Sequence, residues 1–109
     1  MASSREYMEY VREQLAPAEG ISFRAMMGEY LLICGGKTVG GIYDDRLLIK
    51  PTEQARRLLP DAPEETPYPG AKPMLLADNL DDREALRELV YAVAGDLPAP
   101  KKRRGTERG

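Results

Sequence analysis

The sequence predicts a two-layer α+β domain, in which helices pack on one face of an antiparallel β-meander. Amphipathic helical periodicity occurs near both ends of the chain. Between them, short apolar stretches are separated by the two-residue turns Gly35-Gly36 and Asp44-Asp45, which make neighbouring strands antiparallel. The length of 109 residues, with 42% hydrophobic and 31% charged side chains, suits one modest core.

The first element is a helix predicted over residues 3–16. Ser3 and Glu6 have capping-box spacing, and Pro17 and Gly20 end the periodic pattern. One apolar stripe recurs at helical intervals, and packing on the sheet is its simplest role. The stripe consists of Tyr7, Met8, Val11 and Leu15.

Four strands are predicted next, each short and partly alternating in hydrophobicity. They cover residues 21–27, 29–34, 37–43 and 46–50. Gly28 marks a bulge or tight bend after the first strand. Gly40-Gly41 inside the third strand weakens its strand propensity, so we expect a close backbone approach or a twist there.

The next region begins with a short helix that Pro51-Thr52 opens and that runs to about Leu59. Four prolines between residues 60 and 71 predict an extended loop. Residues 72–77 form the predicted fifth strand. Pro73 lacks a backbone donor, so it belongs at the sheet edge or among the first residues of this strand.

The second long helix is predicted over residues 81–96. Asp81 and Glu84 have capping-box-like spacing, and the carboxylate of Asp82 suits the positive end of the helix dipole. Its apolar face is formed by Leu86, Leu89, Val90, Val93 and Leu97. The chain thus divides into one domain, residues 1–100, and a basic tail, residues 101–109, predicted to be disordered.

Charge separates these two parts, since residues 1–100 carry a net charge of −6 and residues 101–109 carry +4. Four consecutive cations, Lys101, Lys102, Arg103 and Arg104, are the candidate nucleic-acid contact. A flexible basic cluster binds phosphates without reading sequence, and no recognition helix accompanies it. A solvated tail that aids solubility is the alternative.

Composition argues against most catalytic chemistry. The chain has no histidine and a single cysteine, Cys34, which lies in an apolar strand and is expected to be a buried, inert thiol. Ser-His and Cys-His pairs and histidine metal ligands are therefore absent. We expect no enzymatic activity, no cofactor and no metal site. With no signal peptide and no apolar run of roughly 18 residues, a cytoplasmic location is expected.

Polar and adaptable side chains among the predicted strands form the candidate partner surface: Arg24, Met26, Met27, Glu29, Tyr30 and Lys50. The sheet face without helices is a candidate contact surface, and methionine adapts to varied partners. Cross-strand charge pairing, core packing and dimer packing are the alternatives. A homodimer through the exposed sheet or an edge strand stays open.

The block at residues 23–30, Phe-Arg-Ala-Met-Met-Gly-Glu-Tyr, resembles the R-x-M-F-G pattern of a bacterial family, the TfoX/Sxy amino-terminal domain. Met27 stands where phenylalanine is usual. Gly41-Ile42-Tyr43, residues 47–50 (Leu-Leu-Ile-Lys) and residues 68–72 (Tyr-Pro-Gly-Ala-Lys) also resemble family positions, so that the similarity spans residues 3–97.

The resemblance implies a small two-layer α+β domain, similar to secretion chaperones. It also implies a role in transcription regulation, because the family's named members regulate competence genes, acting as co-activators with a cyclic-AMP receptor protein. The leading hypothesis is therefore a non-enzymatic interaction module with a transcription-related protein partner. The alternatives are a nonspecific nucleic-acid-associated protein that uses the basic tail, and a small ligand-binding protein or enzyme with an acidic pocket.

Overall fold

The computed structural model describes residues 4–16, 19–78 and 80–98. The predicted cap Ser3, the residue Pro17 and the whole basic tail lie outside these ranges. In chain order the elements are α1 (Arg5–Leu15), β1 (Ile21–Met26), β2 (Glu29–Cys34), β3 (Lys37–Ile42), β4 (Leu47–Ile49), α2 (Glu53–Leu58), β5 (Glu64–Glu65), β6 (Met74–Ala77) and α3 (Arg83–Asp96).

The strands form one six-stranded antiparallel sheet in the order β1-β2-β3-β4-β6-β5, with the helices packed against it. The predicted α+β class is confirmed. The two-residue strand β5 was missed because Glu64 and Glu65 offer no apolar alternation inside a proline-rich stretch. Since β5 covers the edge of β6, the predicted fifth strand is not at the sheet edge. Pro73 instead directly precedes it.

Three hairpin turns connect the first four strands, and in each of them both central residues have positive φ. Gly35 and Gly36 have φ of 61° and 81°, and Asp44 and Asp45 have 54° and 56°. This geometry matches the twist of the flanking strands, which is why Gly, Asp and Asn favour it. The first strand ends one residue earlier than predicted, because Met27 (φ 52°) forms the third turn with Gly28.

Both long helices begin later than predicted. The hydroxyl of Ser4 accepts a hydrogen bond from the Tyr7 N–H at 3.1 Å, so α1 begins at Arg5. At the start of α3 the cap is Asp82, which accepts from the Ala85 N–H at 3.1 Å, and not Asp81. Adjacent capping residues of the same type make this one-residue shift hard to foresee.

One core lies between the sheet and the helices. It consists of Met8, Val11, Leu15, Leu32, Cys34, Val39, Ile42, Leu47, Ile49, Ala55, Leu75, Ala77, Leu86, Leu89, Val90, Val93 and Ala94. The predicted stripes of α1 and α3 supply much of it, although Tyr7 and Leu97 are only half-buried. Burial raises the pKa of the Cys34 thiol, as expected of an inert core cysteine.

The glycine pair in β3 lies where neighbouring atoms leave no room for a side chain. A Cβ on Gly40 would overlap the carbonyl oxygen of Leu48, and one on Gly41 would lie 2.7 Å from the Tyr43 ring. The predicted close backbone approach is therefore confirmed. It allows the Tyr43 ring to lie directly over the sheet backbone.

Candidate functional site

The sheet has a helix face and an outer face. Because side chains alternate along a strand, the cross-strand register assigns each one to a face. Arg24, Leu31, Gly41, Leu48 and Leu76 form one row across the outer face, from β1 to β6. The row is fully buried at Leu48 and exposed at Arg24. The outer face over β1 and β2 is therefore the more accessible part.

Three residues of the predicted partner surface lie at this accessible end. Arg24 and Met26 are exposed on the outer face of β1, and Met27 in the adjoining turn is 95% exposed. Leu31 and Ile33 of β2 are half-buried beside them. We call these five residues the hairpin surface. It combines one cation with four apolar side chains.

Two other residues of the predicted partner surface make contacts within the domain. The carboxylate of Glu29 accepts a hydrogen bond from the Asp44 N–H at 3.2 Å, which ties together two hairpin turns. Tyr30 is paired with Ala25 and Ile42 on the helix face, where it packs half-buried against the core. Sequence proximity grouped Tyr30 with its neighbours, whereas the two-residue period of β2 turns it away.

The last predicted surface residue, Lys50, lies apart from the hairpin surface. It follows β4, which is three strands from β1, or about 14 Å at the usual strand spacing. Lys50 lines a groove of about 430 Å³. The groove is lined by Thr38, Gly40, Tyr43, Lys50, Pro51, Thr52, Pro67, Tyr68, Ala71, Lys72, Pro73, Met74 and Leu97. We call it the tyrosine–lysine groove.

A tight turn places two of the groove residues. The Ala71 N–H donates to the Tyr68 carbonyl at 3.1 Å, and Gly70 between them has φ of 89°. Proline followed by glycine at the centre of a turn is typical of type II, in which the second central position requires positive φ. The turn brings Tyr68 and Lys72 to the groove from one short segment.

Tyr43 also lines the groove, and its ring centroid lies 6.4 Å from that of Tyr68 in an edge-to-face arrangement. Burial raises the pKa of the Tyr43 hydroxyl, and the nearby Tyr68 and Glu29 raise it further. Such ring pairs prefer this arrangement because a positive edge meets a negative face.

Arg46 connects Tyr43 to the segment that leads to Tyr68. Its guanidinium donates to the Tyr43 carbonyl at 3.1 Å and to the Thr66 carbonyl at 3.3 Å. It also forms a 2.6 Å ion pair with Glu65, in which both side chains are largely shielded from water. A planar guanidinium with five donors can hold several oxygens at once. Arg46 thereby positions the segment that carries Tyr68.

The charged side chains of the groove are cationic. Lys50 is half-buried and Lys72 is exposed, and no aspartate or glutamate occurs among the described lining residues. Neither ammonium group forms an ion pair with any residue in the described part of the chain. Two lysines without internal partners favour an anionic ligand.

The acidic pocket considered from the sequence has a weak counterpart on the exposed side of α1. Glu6, Glu9 and Glu13 border a shallow surface depression there, and Arg5 pairs with Glu9 at 3.6 Å. In residues 4–16, 19–78 and 80–98, no group of three or more Cys, Asp or Glu could hold a metal ion.

The groove itself was missed at the sequence level, although its parts were noted. Tyr43, Lys50, Tyr68 and Lys72 belong to three separate segments that carry the family resemblance. Only the crossing from β4 through α2 to β6 brings these segments together. The four basic residues at 101–104 lie outside the described residues.

Comparison with known proteins identifies the family. The model of the TfoX N-terminal domain matches residues 13–95. The chain therefore belongs to the TfoX N-terminal domain family. It is also 35% identical over 105 residues to an uncharacterized 12.7 kDa protein in the trpE 5′ region of Spirochaeta aurantia, covering 95% of this chain and 91% of that protein.

No solved structure matches the chain significantly. Within its described ranges, the chain contains no helix with the length and apolar character needed to cross a membrane.

Proposed function

We propose that this chain is a non-enzymatic interaction module that binds a transcription-related protein through the hairpin surface, in the regulation of competence-type genes. The observation that carries the proposal is the exposure of Met26 and Met27, at 45% and 95%, beside the half-buried Leu31 and Ile33. A group of exposed and half-buried apolar side chains on one face is typical of a contact surface, and methionine suits an irregular partner.

Met27 supports a contact role because folding alone does not explain it. Its backbone lies in the left-handed region, with φ of 52°, where asparagine or glycine is favoured. The left-handed conformation costs most L-residues roughly 1–2 kcal/mol. An exposed apolar side chain at a strained turn adds nothing to the core, so binding is the more economical explanation.

The class of partner rests on family membership. The TfoX family's named members act in transcription regulation, and this supports a protein of the transcription apparatus as the partner. A cation at Arg24, in the middle of the apolar patch, favours a partner surface that presents an acidic group beside apolar side chains.

The test is quantitative affinity capture with purified bait and mass spectrometry. The bait variant is Met26→Gln with Met27→Asn, which removes both apolar side chains and keeps a turn-compatible residue at position 27. The matched control is Tyr10→Gln, which removes a 42% exposed apolar side chain from α1. We expect a transcription-related protein to be captured by the wild type and the control, and at least about five-fold less by the variant.

Capture of the same proteins in equal amounts by all three baits would refute the hairpin surface as the binding site. Recovery of metabolic enzymes alone, lost from the variant, would keep the surface and refute a transcription-related partner.

A further inference from the structure

We propose that the tyrosine–lysine groove binds a small amphipathic anion, with an apolar ring-containing body and one carboxylate or phosphate group. This goes beyond the protein-interaction role and uses a different part of the sheet. The hairpin surface lies over β1 and β2, whereas the groove is lined by Lys50 beyond β4 and by the turn that holds Tyr68.

The size and walls of the groove suit a small molecule. Its volume of about 430 Å³ lies within the range of roughly 300–1,000 Å³ that is usual for ligand sites. Pro51, Pro73, Met74 and Leu97 supply apolar wall, with few polar groups between them. Tyr68 is 60% exposed, so its ring is available to pack against a planar ligand.

The charge of the groove selects an anion. Lys50 and Lys72 come from segments more than twenty residues apart, and among the described residues neither meets a carboxylate. The surrounding domain is acidic, with a net charge of −6 over residues 1–100, whereas the charged side chains that line the groove are both cations. A positive site on an acidic surface concentrates anions at that point.

Contacts within the domain fix the segments that line the groove. Arg46 joins Tyr43 to the segment at Thr66, and a hydrogen-bonded turn fixes the backbone at Tyr68. A preformed site loses little conformational freedom on binding, which favours affinity for a small ligand. A lysine ammonium is a point charge that accepts carboxylate and phosphate alike, so the headgroup is decided by experiment.

The experiment uses the purified full chain, labelled with ¹⁵N and titrated with three probes of the same apolar body. These are 2-naphthoate, 2-naphthyl phosphate and the neutral 2-naphthamide. We expect saturable NMR shifts centred on the groove, and at least one anion should bind about five-fold or more tightly than the amide. Its affinity should fall as salt rises from about 50 to 500 mM. The tighter anion identifies the headgroup.

Two charge-removing variants, Lys50→Gln and Lys72→Gln, keep most of each side-chain stem. Each should weaken binding of the preferred anion about five-fold and leave naphthamide binding unchanged. The matched control is Arg83→Gln, which removes one exposed charge at the start of α3. It should leave the affinity for all three probes unchanged.

Equal affinities for the anions and the amide would overturn the proposal, as would unchanged anion binding in both lysine variants with native-like spectra. Shifts scattered over the surface without saturation would overturn it too. No protein partner is present in this titration. Failure here therefore leaves the interaction module untouched, and failure of affinity capture leaves the groove untouched.

Discussion

The two faces of the sheet differ in how their polar and apolar groups are used. On the helix face, the amide of Gln14 donates to the Leu80 carbonyl at 2.6 Å, and the Lys37 ammonium donates to the Ala94 carbonyl at 2.9 Å. On the outer face and its groove, Lys72 and Lys50 have no ion-pair partner in the described ranges, and Met26 is half exposed.

The difference separates stability from binding within the same strands. Alternation gives each strand one side chain for the core and the next for solvent or a ligand. Substitutions on the helix face should therefore change the free energy of unfolding. Those at the accessible outer face should change binding and leave folding nearly intact.

The largest expected effect is at the core of α3. Leu86→Ala removes a fully buried side chain and should lower the free energy of unfolding by about 3 kcal/mol, since a cavity adds to the lost burial. Leu31→Ala on the half-buried outer face is the paired comparison and should cost less than about 1.5 kcal/mol. Urea unfolding monitored by circular dichroism measures both, and equal losses would show that the two faces contribute alike to stability.

The next effect concerns the point where the outer face is tightly packed. Gly41→Ala should lower the free energy of unfolding by about 2 kcal/mol, because its Cβ would lie 2.7 Å from the Tyr43 ring and 2.8 Å from the Tyr30 carbonyl. Thermal unfolding measures the loss.

The control for that substitution is Gly95→Ala in α3, where a Cβ meets nothing within 4 Å. It should stabilise by up to about 1 kcal/mol, because alanine is the better helix former. A Gly41→Ala protein as stable as wild type would show that the Tyr43 ring moves aside without loss of stability. This wall of the groove would then not be rigid.

A gain in stability is expected at the hairpin surface. Met27→Asn places a residue that tolerates positive φ before Gly28, and should stabilise the fold by about 0.5–1 kcal/mol. The same variant should lose partner capture, so that binding falls while the melting temperature rises. A lower melting temperature would contradict the account of Met27, because binding loss could then follow from unfolding.

The smallest effect is a dependence on alkaline pH. Burial raises the pKa of Tyr43 in the folded state, so above about pH 10 the unfolded chain loses this proton first. Stability is therefore full below that pH and falls as pH rises through the folded-state pKa. Tyr43→Phe should make the decline above about pH 10 shallower, while Tyr7, whose pKa burial also raises, still contributes.

Chemical denaturation at several pH values checks this prediction. A steeper decline of stability in Tyr43→Phe than in wild type would show that another group governs the loss of stability at alkaline pH.

Local chemistry made most elements predictable. Two-residue turns such as Gly35-Gly36 define their own backbone geometry, and stripes such as that of α1 require a buried partner surface. Errors occurred where the local signal was degenerate or weak. Ser4 replaced Ser3 as the described cap, Asp82 replaced Asp81, and the polar pair of β5 carried no pattern.

The candidate site divides in the same way. Arg24, Met26 and Met27 could be grouped from the sequence because they are neighbours along one hairpin. Tyr30 was grouped with them by its position in sequence, whereas the strand register places it on the helix face. The role of Glu29 as a hydrogen-bond acceptor for Asp44 depends on two turns meeting in space, which no local pattern encodes.

Short-range turn chemistry and hydrophobic periodicity specify the α+β class, the hairpins and the two amphipathic helices, and the motif at residues 23–30 indicates the family. The strand order beyond β4, and the groove that both Lys50 and Lys72 line, depend on tertiary packing. Packing the apolar stripes around one core fixes the path of the chain. Residues far apart in sequence become neighbours only once that path exists.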